Sequence, residues 1–249
     1  MKHSMVKDRI RGISIIGFWI MVWQITYFGV GKEVLIPSPF HTFQKLFEMI
    51  QEKAFYVQVA YTMYRVCMGV IISFIIGVIA ALASYFNQLI KDILHPLVLL
   101  FKSTPVMAVI ILALLWVNSS EVPILVCFLM CFPIVYTNVL TGLSSVDQSL
   151  IEMTRVYKVK RRFIIKDIYM PHVSTYIKSA LSLSVGLAWK VVIAAEVVAV
   201  PKYAMGYNLL TAKIYLETQE VFAWVIVIVI LSSLCENLVK KLLEGRKKA

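Results

Sequence analysis

Lys190 and Glu196 both fall within 173–200, a run otherwise rich in Ala, Val, Leu and Ser. A charge in hydrocarbon costs a few kcal/mol or more, so such groups face a bundle interior, a watery path or each other. They stand six residues apart and so do not share a helix face as i,i+4 neighbours would. Each must therefore find its partner on another helix or another subunit. Lys190, in Ala188-Trp189-Lys190, suits attraction of an anion within a pathway, and equally a structural pair with a carboxylate or a helix C-terminus. Glu196, in Ala194-Ala195-Glu196, suits a structural or gating pair ahead of substrate contact. Trp189 beside Lys190 is the third pathway candidate. Lys178 can carry its ammonium to the headgroups.

Other chemistry is missing. The chain holds no G-x-x-x-x-G-K-[ST] phosphate loop, no G-x-S-x-G elbow and no H-E-x-x-H pair. His3, His41, His95 and His172 are scattered without metal-ligand spacing, and Cys67, Cys127, Cys131 and Cys235 read as small apolar residues of spans. Nothing resembles an enzyme site or a metal centre. Uphill transport by this chain would draw on an ion gradient or on another polypeptide.

The elements that position these residues follow from composition. Of 249 residues 60% are hydrophobic and 16% charged, with mean hydropathy +0.81. Apolar runs of about 20 residues cross a hydrocarbon core as helices. The expected spans are 12–30, 65–86, 98–117, 122–143, 173–200 and 221–239. Their interiors lack the alternation of an outer-membrane barrel. The first is too long and too rich in Trp and Tyr for a signal-peptide core. The fold class is therefore all-α polytopic with six transmembrane helices, and the whole of 1–249 reads as a single membrane domain.

Charge sets the orientation. Lys2, Lys7, Arg9 and Arg11 precede the first span; Lys240, Lys241, Arg246, Lys247 and Lys248 follow the last. The loop between the fourth and fifth spans carries six more cations: Arg155, Lys158, Lys160, Arg161, Arg162 and Lys166. With six spans these three segments share one side, the cytoplasm, giving N-in and C-in. The net charge of +11 is then mostly topology, with some attraction to anionic lipid. Basic residues divided among membrane-flanking segments give no nucleic-acid footprint.

Between spans, Ser38 and Pro39 suit an N-cap and first helical position, and 40–64 reads as an amphipathic stretch along the outer surface. Polar links are expected at 87–97 and 118–121. Pro96, Pro105, Pro123 and Pro133 permit kinks. Gly69 and Gly77 offer a small-residue surface for helix contact. The loop at 144–172 is amphipathic as well as basic: Ile151, Val156, Val159, Phe163, Ile164 and Ile168 recur at helical spacing. Capping-box spacing at Ser145–Gln148 and Ser149–Glu152 starts a helix in this neighbourhood. Glu152 reads either as a local cap or as a tie between that helix and a span.

One spacing in this loop resembles a known signature. Integral-membrane permease subunits of binding-protein-dependent ABC importers carry Glu-Ala-Ala, three residues, Gly, nine residues, Ile, one residue and Leu-Pro. Glu152-Met153-Thr154 takes the Glu-Ala-Ala place, Lys158 the glycine's, and Ile168 and Met170-Pro171 follow in register. Leu35-Ile36-Pro37-Ser38-Pro39, Thr62-Met63-Tyr64-Arg65-Val66, Ser144-Ser145-Val146-Asp147 and Ala188-Trp189-Lys190 with Ala194-Ala195-Glu196 extend the likeness to the nitrate, sulfonate, taurine and bicarbonate branch. The resemblance implies a type I importer (MetI-like) fold in a bacterial inner membrane. It also implies a second permease copy in a homodimer, cytoplasmic ABC ATPase subunits and an extracytoplasmic substrate-binding protein. ATP and Mg would lie on the ATPase, with no cofactor on this chain. Glu152, Met153, Thr154, Arg155, Val156, Lys158, Ile168 and Pro171 would form the ATPase-coupling element. Lys158 in the glycine's place implies a less sharp turn and an added charge at the contact. The implied cargo is a small anion; a pyrimidine-type vitamin precursor is the alternative. A gradient-driven secondary transporter and a non-transporting scaffold are the rivals outside this family.

Overall fold

The computed structural model describes residues 2–244, and every regular element among them is helical. In chain order these are α1 (Lys2–Val30), α2 (Pro39–Gln51), α3 (Lys53–Phe86), α4 (Gln88–Ser103), α5 (Val106–Ala113), α6 (Val122–Ser144) and α7 (Gln148–Val156). A short α8 (Arg161–Phe163) runs through a π-helical stretch, Ile164–Tyr169, into α9 (Met170–Ala199), followed by α10 (Met205–Ile214) and α11 (Thr218–Glu244).

Four described helices are long and apolar enough to cross a membrane: Lys53–Phe86, Val122–Ser144, Arg161–Ala199 and Thr218–Leu243. The pair α4 and α5 is apolar enough only when taken together and is bent by 105° at the break between them, the geometry of a broken span or a re-entrant loop. The expected span at 98–117 is therefore not one helix, and the expected link at 87–97 is already helical. The break has a local cause. Pro105 disfavours helical backbone in the residue before it, and Thr104 adopts φ −76° and ψ 129°. The first expected span falls within α1, whose stretch Ser14–Val30 is apolar.

The second span also differs. α3 begins at Lys53, so 53–64 belongs to the spanning helix, and only α2 remains of the expected surface stretch. Its start is as read: the Ser38 hydroxyl accepts from the His41 N–H at 3.1 Å, and Pro39 opens the helix.

α6 is central, packed against α3 on one side and α9 on the other. In lipid, helices associate through close packing because hydrocarbon offers no hydrophobic gain between them. Small residues permit that approach. A Cβ on Gly69 would lie 2.5 Å from the Cys127 sulfur, and one on Gly77 would lie 2.8 Å from Val135. Trp189 and Trp224 join α9 and α11 in one buried cluster with Val66 and Val70 of α3. α1 leans on the outside, where the Trp23 indole N–H donates to the Pro37 carbonyl at 3.0 Å and its ring stacks on Phe222.

Candidate functional site

Three constellations bear on function. The first is the basic loop. α7 begins at neither expected capping box. The Asp147 carboxylate accepts from the Ser149 N–H at 2.9 Å and from the Ser149 hydroxyl. These two bonds, the hydroxyl's first, hold the Asp147 carboxyl below its ordinary value. Ser145 instead bonds the His172 ring at 3.0 Å, tying the end of α6 to the start of α9. Glu152 is exposed and its side chain makes no hydrogen bond among the described residues, so it acts neither as cap nor as tie in this conformation.

α7 ends in a tight reversal. The Lys158 N–H donates to the Arg155 carbonyl at 3.1 Å and the Val159 N–H to the Thr154 carbonyl at 2.9 Å, the paired bonds of a Schellman motif. Lys158 sits at φ 51°, the left-handed conformation that favours glycine. The less sharp turn expected from a lysine here is thus not what forms. Two hydrogen bonds hold the turn, and the side chain bears a strain of about 1–2 kcal/mol.

The faces of α7 divide cleanly. Ile151 is buried and Thr154 half-buried, whereas Leu150, Met153, Val156 and Tyr157 are exposed, Val156 at 78%. Arg155 and Lys158 are exposed beside them. Further along, Ile168 is half-buried and Pro171 exposed. The loop therefore offers an apolar ridge edged with cations at the membrane end assigned to the cytoplasm.

The second constellation lies near the opposite end. Glu196 is fully buried and Arg65 is 3% exposed. Arg65 Nη1 donates to Glu196 Oε1 at 2.8 Å and to the Tyr203 carbonyl at 3.1 Å, while Nη2 donates to the Lys202 carbonyl at 3.0 Å. The Thr62 hydroxyl donates to the same carboxylate at 2.9 and 3.0 Å, and the Gly206 N–H reaches Oε2 at 3.1 Å. The Met205 N–H closes the knot on the Thr62 oxygen at 3.1 Å. α3, α9 and the α9–α10 link are thereby fixed to one another. Glycine is required at 206, where a Cβ would lie 2.6 Å from the Glu196 Cβ and 2.8 Å from the Ile193 carbonyl.

The third is a cleft of about 650 Å³ among α4, α6, α9 and α11, lined by Lys102, Asn138, Ser182, Lys190, Glu236 and Lys240 among others. Lys240 lies 3.9 Å from Glu236; Lys102 and Lys190 have no carboxylate within ion-pair distance among the described residues. Of the three pathway candidates only Lys190 lines this cleft. Trp189 is 1% exposed in the helix core, and Glu196 belongs to the knot.

A smaller outer cleft of about 340 Å³ lies between α2 and the start of α11, lined by Glu33, Lys45, Glu217 and Glu220. Lys45 pairs with Glu220 at 3.3 Å. Partial burial would lower its ammonium, but that bond and the neighbouring carboxylates outweigh it and hold the group above its ordinary value. Among the described residues no three His, Cys, Asp or Glu lie close enough to hold a metal.

Arg65 and Thr62 were missed as site residues because the second span was placed from 65, which put Arg65 at a membrane edge. The signal was available: an arginine and a glutamate each inside an apolar helix call for one another. Lys102 and Glu236 lie inside the expected spans 98–117 and 221–239 and carried the same signal, whereas Lys240, just past the last span, reads as a helix-end charge.

Residues 73–249, which hold α6, the basic loop and the cleft, match the family described as binding-protein-dependent transport system inner membrane component. The chain belongs to that family. Its relatives include the aliphatic sulfonates transport permease protein SsuC of Bacillus subtilis, 26% identical over 93% of this chain and 84% of that one. The taurine transport system permease protein TauC of Escherichia coli is 23% identical over 86% and 80%. The nitrate import permease protein NrtB of Synechocystis is 24% identical over 75% and 71%. Among solved structures, a crystal structure of an amino acid ABC transporter with histidines superposes with a TM-score of 0.56 at 16% identity, over 75% of this chain and 89% of that one. The fold is that of an ABC importer permease. This permease is a multi-pass inner-membrane transport subunit, not an enzyme, and its family works with an ATPase and a substrate-binding protein. Family membership argues against the gradient-driven and scaffold readings.

Proposed function

We propose that this permease forms the translocation pathway for a small anion of the sulfonate, taurine or nitrate kind, driven by ATP hydrolysis on a partner subunit. The cargo class rests on the relatives' names and on the uncompensated lysines of the cleft. A pyrimidine-type cargo, suggested by the formylaminopyrimidine transport permease protein ThiX of Halalkalibacterium halodurans at 23% identity over 68% of this chain, fits that positive cleft less well. The whole chain is one membrane domain, paired with a second copy, and 144–172 is its coupling element.

The observation that carries the coupling assignment is the exposed apolar ridge of α7. Leu150, Met153, Val156 and Tyr157 have no cover of their own, and a helix capped at both ends is a rigid piece to seat in a groove. Arg155 and Lys158 at its edge favour a groove with acidic residues on the ATPase. Glu152, Ile168 and Pro171 keep the signature's register around it. Copurification tests the assignment: the ATPase subunit comes down with the wild-type permease and is lost with Val156→Glu. Retention of the ATPase by that variant would remove α7 as its seat.

A further inference from the structure

Lys102 and Lys190 reach the same cleft from different helices, α4 and α9. At 1.5 Å per residue, Lys190 lies about 14 Å from the outer end of α9, and Lys102 about 21 Å from the inner start of α4. Both ammonium groups line a cleft whose other walls are the spanning helices α6, α9 and α11, where a charge needs a counter-charge or water. Glu236 sits deeper along α11, about 27 Å from its outer end, and is engaged by Lys240. Its carboxylate packs close to Gly186 of α9, where an added Cβ would lie 2.9 Å from Oε1.

Three ammonium groups thus face one carboxylate in the cleft, which leaves an excess of two positive charges. The Ser182 hydroxyl and one N–H of Asn138, whose other donates to the Ile134 carbonyl at 2.8 Å, add hydrogen-bond donors. The one carboxylate among the lining residues, Glu236, is already paired with Lys240. A volume near 650 Å³ exceeds any small oxyanion several-fold, leaving room for a partial hydration shell at about 30 Å³ per water.

We propose that Lys102 and Lys190 form an oxyanion-binding station within the membrane-spanning bundle of the permease itself, which holds the solute after the binding protein has released it. This deepens the anion-importer reading and rests on it. The Glu236–Lys240 pair, neutral as a unit, marks the inner end of the station.

The test uses the permease–ATPase complex in nanodiscs of phosphatidylcholine alone. Lysines are acetylated with an N-hydroxysuccinimide ester in the presence of methanesulfonate or nitrate, at ionic strength matched with chloride, and modification is read by mass spectrometry. Saturable protection of Lys102 and Lys190 together, by threefold or more and with Lys45 and Lys160 unchanged, is expected with at least one of the two anions. Lys190→Gln should abolish the protection of Lys102, and Lys190→Arg should keep it. In proteoliposomes Lys190→Gln should lower uptake of the protecting anion at least tenfold while ATP hydrolysis stimulated by the binding protein persists. Protection by neither anion overturns the station. So does protection that arises only when phosphatidylglycerol replaces phosphatidylcholine, which would assign the lysines to a lipid headgroup. The protection arm needs no ATP turnover, so it decides the station even if the ATP-driven reading fails.

Discussion

Replacing Arg65 with methionine should be among the most damaging single changes available in this protein. The guanidinium is 3% exposed and gives three hydrogen bonds, at 2.8 Å to Glu196 and at 3.1 and 3.0 Å to the Tyr203 and Lys202 carbonyls. Methionine fills much of the same volume but leaves the Glu196 carboxylate buried with only Thr62 and the Gly206 N–H, and leaves two loop carbonyls without their donor. Removing one partner of a buried pair costs about 3–5 kcal/mol. At 1.4 kcal/mol per tenfold, that is roughly a hundred- to several-thousand-fold in the equilibrium for opening the α9–α10 link. Hydrogen–deuterium exchange of the purified protein reads this directly, as accelerated exchange across 200–208 with α6 little changed. Arg65→Met combined with Glu196→Leu should recover a large part of the loss, because the orphaned charge goes with its partner. A single-variant cost below about 1 kcal/mol, or a double variant as damaged as the sum of the two singles, would refute the reasoning.

Further outcomes follow from the same geometry. Gly206→Ala should destabilise the link by about 1–3 kcal/mol, seen as a lowered melting temperature, because the added methyl meets the Glu196 Cβ at 2.6 Å. Lys158→Gly should stabilise the α7 turn by about 1 kcal/mol through relief of the left-handed strain, measured as slower amide exchange at Val159. The Asp147 carboxyl lies below its ordinary value of 3.8, so its cap is fully present above that pH and is lost as pH falls through the lower folded value. Exchange protection of the Ser149 N–H should accordingly hold from neutral pH down to about 4 and fall below it, whereas Asp147→Asn should show no such transition.

Much of this architecture was legible in the sequence. The apolar runs of α6, α9 and α11 appear close to their bounds, and Ser38-Pro39 opens α2 as its residue types require. The loop at 144–172 announced a short amphipathic helix with one apolar face, and α7 is that helix. What sequence reading lost lies at helix ends. α3 continues outward past Arg65 because 53–64 is helical in its own right, and a hydropathy window drops its polar first turns. α4 begins at Gln88 because its Lys91, Asp92 and His95 are compatible with helix, yet charge made the stretch read as a link. The α10 helix passed unnoticed because ten residues of mixed polarity carry little periodic signal. At Lys158 residue type pointed the wrong way: glycine favours the left-handed turn, but backbone bonds from α7 enforce it on lysine as well. The Arg65–Glu196 knot joins residues 131 apart in sequence, a pairing that no local pattern specifies.

The central claim is that this permease moves its solute by ATP turnover transmitted through α7. The direct measurement is uptake into proteoliposomes holding the permease with its ATPase, with binding protein outside and ATP inside. The account predicts uptake that requires both ATP and binding protein, persists when ion gradients are dissipated, and disappears with Val156→Glu. Uptake that continues without the ATPase subunit and follows an imposed ion gradient would contradict it.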